Sequence, residues 1–221
     1  MIPLRDNIPH RTQPVVTITL FAINLIVFFY EISLGPQLEA FVHTFGFIPY
    51  RLQLPVGIFE KIYPFFTNMF LHAGVWHVLG NCLYLWIFGD NVEDRLGHGK
   101  FLIFYFICGI AASVIHGLVN LDSTIPAIGA SGAIAGVLGG YFLLFPRARV
   151  LTLLPFFIFW QIVEIPAPFF LGVWFLYQFF LGLSSLGIPD STGVAFWAHV
   201  GGFVAGIIFV KVFVRKRSVQ Y

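Results

Sequence analysis

Charge is what this chain has least of. Lys, Arg, Asp and Glu make up 10% of its 221 residues, against roughly 25% in an ordinary soluble domain. A water-exposed surface cannot be assembled from so few ionised groups, and a soluble globular protein is excluded. Cysteine is nearly absent as well. Cys82 and Cys108 lie inside apolar runs without motif spacing, which reads as two small buried hydrophobes and rules out a disulfide framework. The first dozen residues are polar and carry Pro3 and Pro9. They lack the cationic start, short apolar core and small-residue site of a cleaved signal peptide, so this end is expected to remain. The histidines lack the helical spacing with a glutamate that builds a hydrolytic zinc site. No metal, no other cofactor and no nucleic-acid partner is expected.

What the chain has instead is apolar length. It is 58% hydrophobic, with a mean hydropathy of +0.88, and a bilayer core of ~30 Å takes ~20 such residues as helix. Six stretches approach that length, at about 14–34, 74–92, 100–120, 128–146, 164–184 and 194–214, which predicts an all-α polytopic membrane protein. Residues 1–13 form a short leading segment, 14–214 the membrane domain and 215–221 a basic tail. Between 35 and 73, Pro36, Pro49, Pro55 and Pro64 interrupt a run rich in phenylalanine. Proline denies it a continuous helix and the apolar side chains deny it to water, so an interfacial loop with short amphipathic helices is expected. The run 150–163, broken by Pro155, would reach only ~21 Å as helix, and is read as buried or interfacial.

Charge placement supports that count. With six spans, ten of the twelve Lys and Arg residues fall on one side, leaving Arg51 and Lys61 on the other. A seventh span at 150–163 would move Arg215-Lys216-Arg217 to the wrong side. Both termini are therefore expected in the cytoplasm.

The polar residues that remain inside are unevenly spread. In this topology the second, fourth and sixth helices enter from the outer face, and each carries its polar residues early: His77 and Asn81, then Ser131, then His199. All would lie within ~10 Å of one end of the bundle. Gly132, Gly136 and Gly140 form one small-residue face, and Ala198, Gly202 and Gly206 another. Such faces let membrane helices approach closely, and docking them would bring Ser131 to His199. A serine hydroxyl becomes a nucleophile when a neutral imidazole lies within hydrogen-bond reach. Asn81, His77 and the Ser131 backbone N–H could then receive an oxyanion. Taken singly, the serine also fits a packing role, and the histidines a proton or metal path in a transporter or channel.

The residues in combination resemble the rhomboid intramembrane serine proteases. Gly129-Ala130-Ser131-Gly132 is similar to the family's GxSG box, and Ala198-His199 with Gly202 and Gly206 to its AHxxGxxxG helix. His72, His77 and Asn81 follow its HxxxxHxxxN spacing, and Gly89 to Gly97 with Glu93 and Arg95 resembles the turn after its second helix. The match runs in order from about 60 to 215. It implies a rhomboid-like six-transmembrane-helix bundle, with Ser131 as nucleophile, His199 as general base, and Asn81 and His77 as oxyanion donors. No acidic third member is implied. The implied substrates are transmembrane proteins, each cut in a single helix unwound near the outer leaflet. The fifth helix, with Pro166, Pro168, Phe169, Phe170 and Trp174, is a candidate lateral gate. A bacterial inner membrane is the expected home, with the lipid bilayer as constant partner. The resemblance also admits a non-catalytic binder of membrane helices, although such proteins are expected to lack the Ser or the His. Two departures stand out. Ala135 occupies the position where some members pack an aromatic ring on the catalytic histidine, and the Trp-Arg pair of some members' first loop is absent.

Overall fold

A computed structural model describes residues 1–156, 159–186 and 194–214. The basic tail at 215–221 lies outside them. A strand, β1 (Ile2–Asp6), leads into α1 (Val15–Ser33). Short helices α2 (Leu38–Phe45), α3 (Ile58–Ile62) and α4 (Pro64–Thr67), with 3-10 turns between them, fill the proline-rich segment. Then come α5 (Val75–Leu96), α6 (His98–Val119), α7 (Ser131–Leu144), strands β2 (Arg149–Phe156) and β3 (Phe159–Pro166), α8 (Ala167–Ser184) and α9 (Phe196–Phe213).

Helices thus occupy all six predicted stretches, and the chain is a helical polytopic membrane bundle. Four of them, α1, α6, α8 and α9, are long and apolar enough to cross a bilayer. The long α5 gathers Asp90, Glu93, Asp94 and Arg95 in its last two turns. At 14 residues, α7 is the short member, and residues 132–141 are all buried. Because protein surrounds it, α7 need not match the thickness of the lipid, and its first residue can begin inside the bundle. The outer helices behave differently. In α1 the buried residues Thr17, Leu20, Asn24, Phe28 and Glu31 form one stripe at three- and four-residue spacing, while Ile26 and Phe29 stay exposed, as lipid permits.

In its described residues the run 150–163 is strand and not helix. It forms an antiparallel strand pair, Val150 opposite Ile165 and Leu153 opposite Ile162, and the leading segment adds β1 on the other edge of β2, with Ile2 opposite Leu153. Pro155 lies beyond the reach of β1, so its missing N–H costs no ladder bond on that side. The sheet joins the bundle through Asp6, whose carboxylate receives the Tyr141 hydroxyl at 2.5 Å and the Asn91 amide at 2.9 Å.

A buried carboxylate fixes α1 at this end. Pro14 supplies no side-chain cap to α1. Glu93 of α5 takes its place, accepting the Val16 and Thr17 N–H groups at 2.9 and 2.7 Å and the Thr17 hydroxyl at 2.7 Å. Negative charge at a helix N-terminus also opposes the positive end of its dipole.

Candidate active site

At the other end of the bundle, the close approach of α7 and α9 sets the geometry. A Cβ on Gly202 would run into the Gly132 carbonyl, and one on Gly206 into the Gly136 carbonyl. The third contact differs from the expected stripe. Gly139 meets the Phe203 backbone of α9, whereas Gly140 faces Phe104 and Val210. An i+4 row drifts by ~40° per step on a helix with 3.6 residues per turn, so by its third member the neighbouring glycine has rotated into the seam. Gly132 and Gly136 also press on Ala112 and Cys108 of α6, which makes α7 tightly packed on two sides.

With the backbones held this close, His199 Nε2 lies 2.7 Å from Ser131 Oγ. Ser131 is the first residue of α7, where backbone N–H groups have no partner within the helix. The turn before it depends on Gly129, whose φ of +129° disfavours any side chain. A Cβ there would also stand 2.8 Å from His77 Nε2. The Gly129 N–H is tied to the Asn68 carbonyl at 2.8 Å, and the Asn68 amide in turn donates to the Pro64 carbonyl.

His77 and Asn81 share a face of α5, one turn apart. The Ala73 N–H donates to His77 Nδ1 at 3.4 Å, which leaves the proton on Nε2, the nitrogen facing Gly129. Asn81 is buried, and its Nδ2 has no hydrogen-bond partner among the described residues. An unpaired buried donor costs about 1–3 kcal/mol, a cost that a bound acceptor would remove. His77, Asn81, Ser131, Trp174, Gln178 and His199 all line one cavity of about 450 Å³.

His72 stands apart from this group. Burial, and then the neighbouring charge of His77, push its pKa down to about 4, so its imidazole is neutral at physiological pH. Its backbone N–H donates to both carboxylate oxygens of buried Glu31, at 3.1 and 3.2 Å. An acid inside the membrane domain therefore meets this histidine through the backbone and not through the imidazole.

Two residues of α8 meet His199: Gln178 escaped the sequence reading, and Trp174 entered it only as a gate aromatic. Gln178 Oε1 lies 2.8 Å from His199 Nδ1, and the Trp174 ring sits 5.9 Å from the imidazole, centroid to centroid. Trp174 supplies the aromatic neighbour that Ala135 cannot. The signal for Gln178 was its chemistry, since it is the one amide in an otherwise apolar helix. The proposed gate aromatics divide: Phe169 is exposed, while Phe170 is buried against Phe88.

Residues 60–216 match the family profile described as Rhomboid domain. The chain is similar to "Rhomboid protein 1, mitochondrial" of Saccharomyces cerevisiae, 32% identical over 147 residues, covering 64% of this chain and 39% of that one. It is similar to "Rhomboid protease AarA" of Providencia stuartii, 34% identical over 137 residues, covering 55% and 47%. Similarity to "Rhomboid protease GluP" of Bacillus subtilis is 34% over 128 residues, covering 58% and 24%. The matched regions thus span less than half the length of these relatives.

Proposed function

The chain belongs to the rhomboid family, and on that premise we propose that it is an intramembrane serine endopeptidase, using Ser131 and His199 to cut transmembrane segments of other proteins. The observation that carries the reading is the 2.7 Å contact between Ser131 Oγ and His199 Nε2 at the wall of a cavity. In the first step His199 Nε2 takes the hydroxyl proton as Oγ adds to the scissile carbonyl carbon. The oxyanion that forms receives Asn81 Nδ2–H and His77 Nε2–H, donors whose charge stabilisation grows only as the tetrahedral species develops. His199 then returns the proton to the leaving nitrogen, the C–N bond breaks, and an ester to Ser131 remains. Water, deprotonated by His199, cleaves that ester and regenerates the hydroxyl.

The site lies at the ends of α5, α7 and α9 that the charge distribution assigns to the outer face, so cleavage is read as occurring near the outer leaflet. Helical peptide bonds are shielded, and substrates with Gly, Ala or Pro near the cut are favoured. The relatives include mitochondrial, plant and bacterial proteins. The reading therefore commits to an integral membrane protein with both ends on the positive side, and to no one organelle or bacterial membrane. A transporter would use His199 to carry a proton or a metal ion, whereas both of its ring nitrogens are engaged by Ser131 and Gln178. A non-catalytic helix binder has no use for a serine within hydrogen-bond reach of a base.

The test is labelling of the purified, detergent-solubilised protein by a serine-reactive phosphonate, alongside cleavage of a tagged transmembrane substrate. Ser131→Ala, His199→Ala and the double variant should lose both to the same extent, because the pair acts as one unit. Parental labelling or cleavage in Ser131→Ala would overturn the assignment.

A further inference from the structure

An amide buried in an apolar membrane helix is costly unless it is paired. Gln178 is buried, and its acceptor oxygen is directed at the nitrogen of His199 that does not face Ser131. A neutral imidazole has one N–H. With an acceptor 2.8 Å from Nδ1, the proton belongs there, which leaves the Nε2 lone pair for the Ser131 hydroxyl at 2.7 Å. Trp174, one turn earlier on the same helix, lies against the ring, so α8 holds both the face and the far edge of the base.

We propose that Gln178 is a positioning residue that fixes His199 in its Nδ1–H tautomer, completing a chain of hydrogen bonds from Ser131 through His199 to α8. The proposal rests on the serine-protease reading and supplies the orienting group that a Ser-His pair by itself lacks. The bond also gains strength at the right moment. Once Nε2 accepts the serine proton the ring is a cation, and its Nδ1–H becomes a charge-assisted donor to the Gln178 oxygen. That gain exists in the transition state and not in the ground state, so it appears in kcat. Because the acceptor rides on α8, any displacement of this helix changes the competence of the base.

Three measurements test this. In protein carrying 15N-labelled histidine, the His199 ring, assigned by difference against His199→Ala, should show a protonated Nδ1 and a bare Nε2. A protonated Nε2 in the parent overturns the proposal without any variant needing to fold. Gln178→Leu keeps the volume and removes the acceptor, and should lower kcat about 10- to 100-fold, as expected for a misplaced catalytic group. KM should change less than kcat, since the lost bond strengthens only in the transition state, and the Nδ1–H signature should be lost. Gln178→Glu restores an acceptor oxygen at the same reach and should recover most of the activity and the signature. Parental kcat in Gln178→Leu, or a Gln178→Glu as impaired as Gln178→Leu, would overturn the role. Phosphonate labelling of the parent at Ser131 separates the two failures: if it is absent, the protease reading falls, while the nitrogen spectrum still judges the tautomer.

Discussion

Two groups of buried polar side chains lie at opposite ends of this bundle, and they are built on opposite rules. Around Glu93 the donors and acceptors are matched. The carboxylate receives two backbone N–H groups, a hydroxyl and the His98 ring nitrogen, and nothing remains to bind a ligand. Around Ser131 the matching is incomplete: Ser131, His199 and Gln178 engage one another, while Asn81 lines the cavity and its buried Nδ2 has no hydrogen-bond partner among the described residues. An orphan atom is not in itself the mark of a site. His72 Nε2 is also buried without a hydrogen-bond partner among the described residues, and His72 lines no part of the 450 Å³ cavity. The informative combination is an unpaired donor on a residue that also lines a cavity.

The sharpest way to break that comparison is to remove the orphan donor. Asn81→Ala should lower kcat by ~10²–10³, the usual cost of losing one oxyanion donor. Its melting temperature should hold or rise, because a buried group with no protein partner has been deleted. Parental turnover per folded molecule would remove Asn81 from the oxyanion role, and if that variant were also unstable, Asn81 would belong to the same class as Glu93.

Glu93 should respond in the opposite sense. Glu93→Gln presents an amide N–H₂ to donors that need an acceptor, and withdraws the charge at the start of α1. A loss of about 1–3 kcal/mol in stability is expected, the range for leaving a buried polar group unsatisfied. The folded fraction should turn over substrate at the parental rate, checked by active-site titration with the phosphonate. A fall in turnover per labelled site would show that the two ends are coupled.

The candidate site was the more legible of the two ends. Ser131, His199, His77 and Asn81 announce themselves because each is a polar residue at the same depth of an apolar helix, and glycine spacing says which helices approach. Gln178 carried a comparable chemical signal, but α8 has no glycine seam to reveal its neighbour. The drift from Gly140 to Gly139 follows from helix geometry and could have been worked out from spacing alone. The sheet was hidden for a different reason. Its central strand pairs with residues near 2–6, over 140 positions away, and a 14-residue apolar run does not say by itself whether it is strand or helix. The cap on α1 is also remote in sequence, since Glu93 reaches Thr17 from another helix, 76 positions away.

The smallest effect is expected where the sheet meets the bundle. Asp6 is partly buried, and burial is the main cause that raises its pKa above the ordinary 3.8, although the Tyr141 hydroxyl, the Ile8 N–H and His10 each pull it down. A carboxyl raised in the folded state binds its proton more tightly there than in the unfolded chain. Its contribution is thus fully present below about pH 4 and is lost as pH climbs through the raised value. The parent should melt at a lower temperature on the alkaline side of that window than on the acid side. Asp6→Asn removes the titration, and with it this part of the slope, even though an amide cannot satisfy all the donors now shared by the two oxygens. Turnover should be unaffected, because Asp6 lines no part of the Ser131 cavity. The measurement is the difference in melting temperature between parent and variant across that pH range. A difference that stays constant with pH would mean that Asp6 titrates as it does in the unfolded chain, and that its bonds to Tyr141 and Asn91 offset its burial completely.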